Sequence, residues 1–70
     1  MDKIPAALKI RIGDRFRYGD RRRNGLWEVT ELLPGGVVML YDKTRSFHAR
    51  RYQHELRRFL TEGSYRRVGG

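Results

Sequence analysis

Cysteine is absent from this 70-residue chain and proline occurs only twice. Without thiols there is neither a disulfide staple nor a thiolate metal site, so stability must come from packing alone. That usage suits a reducing compartment, and the expected location is cytoplasmic. No apolar run approaches the ~18 residues that a membrane span requires, and the first residues lack the pattern of a secretory leader. Membrane association is therefore not expected. Histidine occurs twice, as His48 and His54, and no acidic cluster accompanies either one. Neither the usual metal-ligand sets nor a convincing catalytic dyad can be built from them, so no cofactor, no metal and no enzymatic activity are expected. Asp42, Ser46 and His48 lie close in sequence, but strand residues alternate faces and do not converge.

Acids are also scarce. Eight Asp and Glu face sixteen Lys and Arg, giving a net charge of +8, and thirteen of the sixteen cations are arginine. Guanidinium offers a planar fork that grips phosphate through two hydrogen bonds and stacks on aromatic rings, whereas lysine is a point charge. Self-repulsion at this charge costs a small domain some stability, so the arginine excess points to a polyanionic partner rather than to solubility alone. The arginines are grouped as Arg21-Arg22-Arg23, Arg50-Arg51, Arg57-Arg58 and Arg66-Arg67, with Arg15 and Arg17 two apart.

The apolar pattern predicts one small mostly-β domain over 10–68, with an N-terminal arm over 1–9 and a two-residue tail at 69–70. Leu8, Ile10 and Ile12 alternate with charged residues in a strand-like period, broken by Gly13-Asp14. Phe16 and Tyr18 alternate with Arg15 and Arg17, giving a first full strand over about 14–18. Asn24-Gly25 reads as a two-residue hairpin turn, since both residues tolerate positive φ. That turn would set Arg22 opposite Trp27, Arg21 opposite Glu28 and Phe16 opposite Leu33. A longer open connection over 19–25 is the competing arrangement. Residues 26–33 form the second strand, ended by Pro34-Gly35-Gly36. The unbroken apolar run over 37–41 predicts a central third strand covered on both faces. A polar turn over 42–45 leads to a fourth strand over 46–52, with Phe47 and Ala49 on one side. Leu56, Phe59 and Leu60 have helical spacing, Gly63 stands at the stop position, and residues 65–68 form a last short strand.

The segments Ile12-Gly13-Asp14-Arg15-Phe16, Leu26-Trp27-Glu28-Val29 and Glu55-Leu56-Arg57-Arg58-Phe59-Leu60 together resemble the small Src-homology-3-like barrels, including the KOW and Tudor groups. The resemblance covers about residues 10–68 and implies a five-stranded barrel with one short helix before the last strand. Small phage-encoded proteins are similar in general look.

If the first and last strands are neighbours, Arg15 and Arg17 project beside Arg66 or Arg67, and Arg21, Arg22 and Arg23 extend from the hairpin tip. With Tyr18 as the ring expected to face a base, these residues form the candidate nucleic-acid-binding set. Arg57 and Arg58 are assigned to the solvated side of the helix. Trp27, Phe16, Phe47 and Phe59 are assigned to the core, and an Arg22–Trp27 cation–π contact would give that arginine a structural role instead. The expected function is non-enzymatic binding of RNA or DNA through phosphate, with RNA or single strands favoured over a duplex groove. The rival is a protein-interaction module or small inhibitor that meets an acidic partner surface, as monomer or homodimer. Leu32, Val38 and Leu40 would then supply an apolar seam.

Overall fold

The computed structural model describes Pro5, residues 8–19 and residues 24–68. Five strands, Arg15–Gly19 (β1), Asn24–Leu33 (β2), Val37–Asp42 (β3), Phe47–Tyr52 (β4) and Tyr65–Arg67 (β5), are joined by one helix, Gln53–Glu62 (α1), before β5. They form one antiparallel sheet in the order β4-β3-β2-β1-β5. This is the mostly-β class expected, with the helix where its periodicity placed it. The ladder is open, because β4 and β5 are its two edges and are not paired with each other.

Core residues come from alternate positions. Ile10, Phe16, Trp27, Val29, Val38, Leu40 and Leu56 are buried together, with Tyr18, Ala49, Leu60 and Tyr65 packed around them. Strand β2 is long enough to serve both halves of the sheet, and its register with β3 slips between Val29 and Glu31, leaving Thr30 as an extra residue. Such a bulge bends the strand and increases its twist, which lets one sheet wrap around a small core. Gly35 and Gly36 adopt φ of 80° and 77° at the turn into β3, a conformation that only glycine takes without strain. At the start of α1, the Tyr52 N–H donates to the Glu55 carboxylate at 3.0 Å. The helix ends at Gly63, whose φ is 84° and whose N–H donates to the Leu60 carbonyl.

Several expectations are overturned. Asn24 and Gly25 are not a turn: they belong to β2, where Gly19 pairs with Asn24, Tyr18 with Gly25 and Phe16 with Trp27. An open connection over 19–25 is not formed either, because Gly19, Asn24 and Gly25 are paired strand residues, and residues 20–23 lie outside the described residues; Glu28 faces Arg15 instead of Arg21. Ile12 lies in a turn and is 64% exposed, so the alternating run over 8–12 does not form a strand. There the Arg11 N–H donates to the Asp14 carboxylate and the Asp14 N–H to the Arg11 carbonyl, which closes a tight turn in place of a ladder. Strand β3 is flanked on both sides but covered on one face only: Val38, Leu40 and Asp42 point inward, while Val37, Met39 and Tyr41 are half-buried. Val38 and Leu40 are fully buried, so they cannot form an apolar seam. Phe47 is 53% exposed at the sheet edge, with its ring 6.1 Å from Trp27, rather than in the core.

Gly25 has a different reason for being glycine. A Cβ at this position would lie 2.6 Å from Cε1 of the Tyr18 ring, which covers the bare backbone from the neighbouring strand. Gly25→Ala should therefore push the tyrosine aside and destabilise the fold by about 1–3 kcal/mol in urea melts, as overpacking does. Gly13→Ala, with open space around its Cβ position, should cost only its backbone strain.

Candidate nucleic-acid interface

Directly opposed residues on antiparallel strands point to the same face, so the register defines the outer surface of the sheet. That surface carries Arg15 and Arg17 on β1, Arg66 on β5, Leu26 and Glu28 on β2, Tyr41 and Met39 on β3, and His48, Arg50 and Tyr52 on β4. Arg17 stands opposite Arg66 across the β1–β5 ladder. Both are exposed, and neither has an ion pair among the described residues. Like charges directly opposite each other destabilise a sheet, by up to about 1 kcal/mol. An anion lying between the two forks would remove that cost. The pair borders an open recess of 430 Å³ with Tyr18, Gly19, Asn24, Gly63 and Ser64.

The other two described arginines of the candidate set are occupied. The Arg15 Nε donates to Glu28 at 3.2 Å, and Lys43 reaches the same carboxylate oxygen at 3.1 Å. The Lys43 ammonium holds the Glu28 carboxyl below its ordinary range, and Arg15 adds to the effect against a partial loss of hydration. Arg67 pairs with Asp14 at 2.8 Å, donates to the Lys9 carbonyl, and lies over the Phe16 ring with its guanidinium 5.4 Å from the centroid. It acts as a structural clamp between the segment before β1 and β5. Arg21, Arg22 and Arg23, and with them the Arg22–Trp27 contact, lie outside the described residues. The chain leaves the sheet at Gly19 and returns at Asn24, both of which line the recess beside Arg17 and Arg66. On α1, Arg58 is exposed as expected and pairs with Glu62 at 2.9 Å, whereas Arg57 is half-buried and donates to the Gln53 amide oxygen at 3.3 Å.

Tyr18 does not face outward. Its ring stacks on Trp27 with centroids 5.4 Å apart, and its hydroxyl donates to the Asp42 carboxylate. Asp42 is fully buried, and its other oxygen accepts the Thr44 and Arg45 amides at 2.8 and 3.1 Å. Burial alone would raise the Asp42 carboxyl, but the Tyr18 hydroxyl and the two turn amides outweigh it and hold the group below its ordinary value. The Tyr18 phenol is raised, first by burial and then by the carboxylate it donates to. Tyr18 is thus a structural residue that ties β1 to the β3–β4 turn. Asp42 and His48 lie on opposite faces of the sheet, so they do not meet as a dyad. Among the described residues, no group of three or more His, Cys, Asp or Glu could hold a metal ion.

Exposed rings lie elsewhere, on the β4 side. His48 packs on the half-buried Tyr41 at 4.8 Å, and Tyr52, 51% exposed, stacks on His54 at 5.5 Å with the rings 11° from parallel. His48, Arg50 and Tyr52 follow at alternate positions of one edge strand, and that period of two is the signal that could have found them in the sequence. Comparison with protein-family models, curated proteins and solved structures gave no significant match. Among the described residues, no helix is long and apolar enough to cross a membrane.

Proposed function

We propose that this protein is a small Src-homology-3-like barrel that binds nucleic acid without catalysis, taking hold of phosphate through the Arg17–Arg66 face. The strand order and the helix before β5 are compatible with that barrel type. One observation carries the functional reading: two exposed arginines from opposite ends of the domain stand side by side with no acidic partner among the described residues. Gly19 and Asn24, the described residues on either side of 20–23, border the same recess. A net charge of +8 adds long-range attraction for a polyanion. RNA or single-stranded DNA suits the surface better than a duplex groove, because α1 is committed to the core through Leu56 and no other helix is described that could enter a groove.

Fluorescence anisotropy with labelled single-stranded RNA, single-stranded DNA and duplex, from about 50 to 200 mM salt, tests this reading. Affinity should fall steeply with salt. Arg17→Ala with Arg66→Ala should weaken binding evenly across sequences and reduce the log–log salt slope by about 2, roughly one unit for each phosphate no longer gripped. An absence of binding at low salt, or a slope the double variant leaves unchanged, would overturn the reading. An acidic protein surface would then be the partner class to test.

A further inference from the structure

We infer that the recess beside β4 is a subsite for one unpaired base, with the Tyr52 ring as its stacking platform and Arg50 as the cation for the adjoining phosphate. The recess measures 310 Å³ and is lined by Val37, Arg50, Arg51, Tyr52 and Glu55. That volume falls at the lower end of small-ligand sites.

Tyr52 is the last residue of β4 and the residue from which α1 starts, so backbone on both sides fixes its position. The Glu55 carboxylate accepts its N–H, which locks the junction further. His54 lies nearly parallel to the Tyr52 ring and supports it, while about half of the tyrosine remains open to solvent. A ring already held in orientation loses little freedom when a base stacks on it, which favours binding. Arg51 forms the wall of the recess. Its guanidinium donates to the Arg50 carbonyl at 2.8 Å. It also acts on Tyr65, whose phenol burial pushes up and the Trp27 indole and Arg51 pull back. Arg50 projects from the outer face opposite Met39, exposed and with no ion pair among the described residues. An exposed aromatic platform beside an uncommitted guanidinium matches the two parts of a single-stranded nucleotide, its flat base and its charged phosphate. A base inside a duplex has both faces covered by its stacked neighbours, so the subsite selects against duplex.

The inference rests on the nucleic-acid reading, and its test separates the two. Tyr52→Ala should weaken binding of a single-stranded oligonucleotide about 5-fold to 100-fold, the range for loss of one base stack. Binding of an abasic strand of equal length, which keeps the phosphates and lacks bases, should be unchanged. Tyr52→Trp should restore affinity for the strand with bases, and circular dichroism melts confirm that each variant is folded. If Tyr52→Ala leaves the base-bearing strand unaffected while the Arg17/Arg66 double variant still loses affinity, the subsite is wrong and the phosphate face stands. If Tyr52→Ala weakens both strands equally, the ring has no stacking role. If neither single strand binds the unmodified protein, both readings fall together.

Discussion

Phe16→Ala should leave little folded protein at physiological temperature. Phe16, the second residue of β1, is wholly buried, with Trp27 opposite it on β2 and Arg67 on β5. Its ring lies 6.4 Å from that of Tyr65 and supports the Arg67 guanidinium at 5.4 Å. Truncating a buried phenylalanine costs about 3–5 kcal/mol, through reduced transfer energy and the cavity left behind. At ~0.05–0.15 kcal/mol per residue, a domain of this length has a total stability of only roughly 4–10 kcal/mol. The single change therefore removes a large share of it and also takes away the platform of the Arg67 clamp. Phe47→Ala is the control, because that half-exposed ring already contacts water and should cost far less. Urea melts followed by circular dichroism compare the two directly; equal losses would contradict the placement of the core.

Asp42→Ala should be nearly as disruptive, and its effect should depend on pH. The carboxylate accepts the Tyr18 hydroxyl and the Thr44 and Arg45 amides within the buried region. Each hydrogen bond to a charged group contributes about 1.5–3 kcal/mol, and the loss of the acceptor strands the Tyr18 hydroxyl on the Trp27 face. Because the folded carboxyl binds its proton more weakly than the unfolded one, its contribution is whole above the ordinary carboxylate range. It fades as pH falls through the lower folded value. Tyr18 acts in the opposite sense: its folded phenol is raised, so its contribution is whole below the ordinary phenol range and disappears as pH rises beyond it. Stability of the unmodified protein should thus decline at both extremes, and Asp42→Ala should flatten the acid limb. Glu28, whose carboxyl is also lowered, will leave a residual slope. An acid limb of unchanged steepness in the Asp42 variant would show that other carboxylates govern it.

The parts of the fold that could be read from the chain were those set by local pattern. The alternation around Phe16, the glycines at 35 and 36, and the spacing of Leu56 and Leu60 with Gly63 each encode a single element, and each element formed. Errors arose where a distant partner decides. Asn24-Gly25 has the composition of a turn, yet the Tyr18 ring across the ladder explains the glycine. Tyr18 looked available to a base because its neighbours in sequence are charged, and nothing near it reveals Asp42 as its hydrogen-bond partner. The apolar run over β3 gave no sign that its outer half would stay partly open, since burial there depends on how far the side chains of β4 reach. Among the arginines, sequence could place Arg17 near β5 but could not distinguish Arg17 and Arg66, without an ion pair among the described residues, from Arg15 and Arg67. Glu28 and Asp14 draw those two into ion pairs only once the strands align.

The pairing of β1 with β5 also governs the order in which the molecule matures. The ladders from β1 to β4 join segments close in the chain and can zip early, whereas β1 meets β5 only after a long loop has closed. The Arg17–Arg66 juxtaposition exists only once that closure is complete. During synthesis, the opposed guanidinium pair can therefore form only once β5 has emerged from the ribosome.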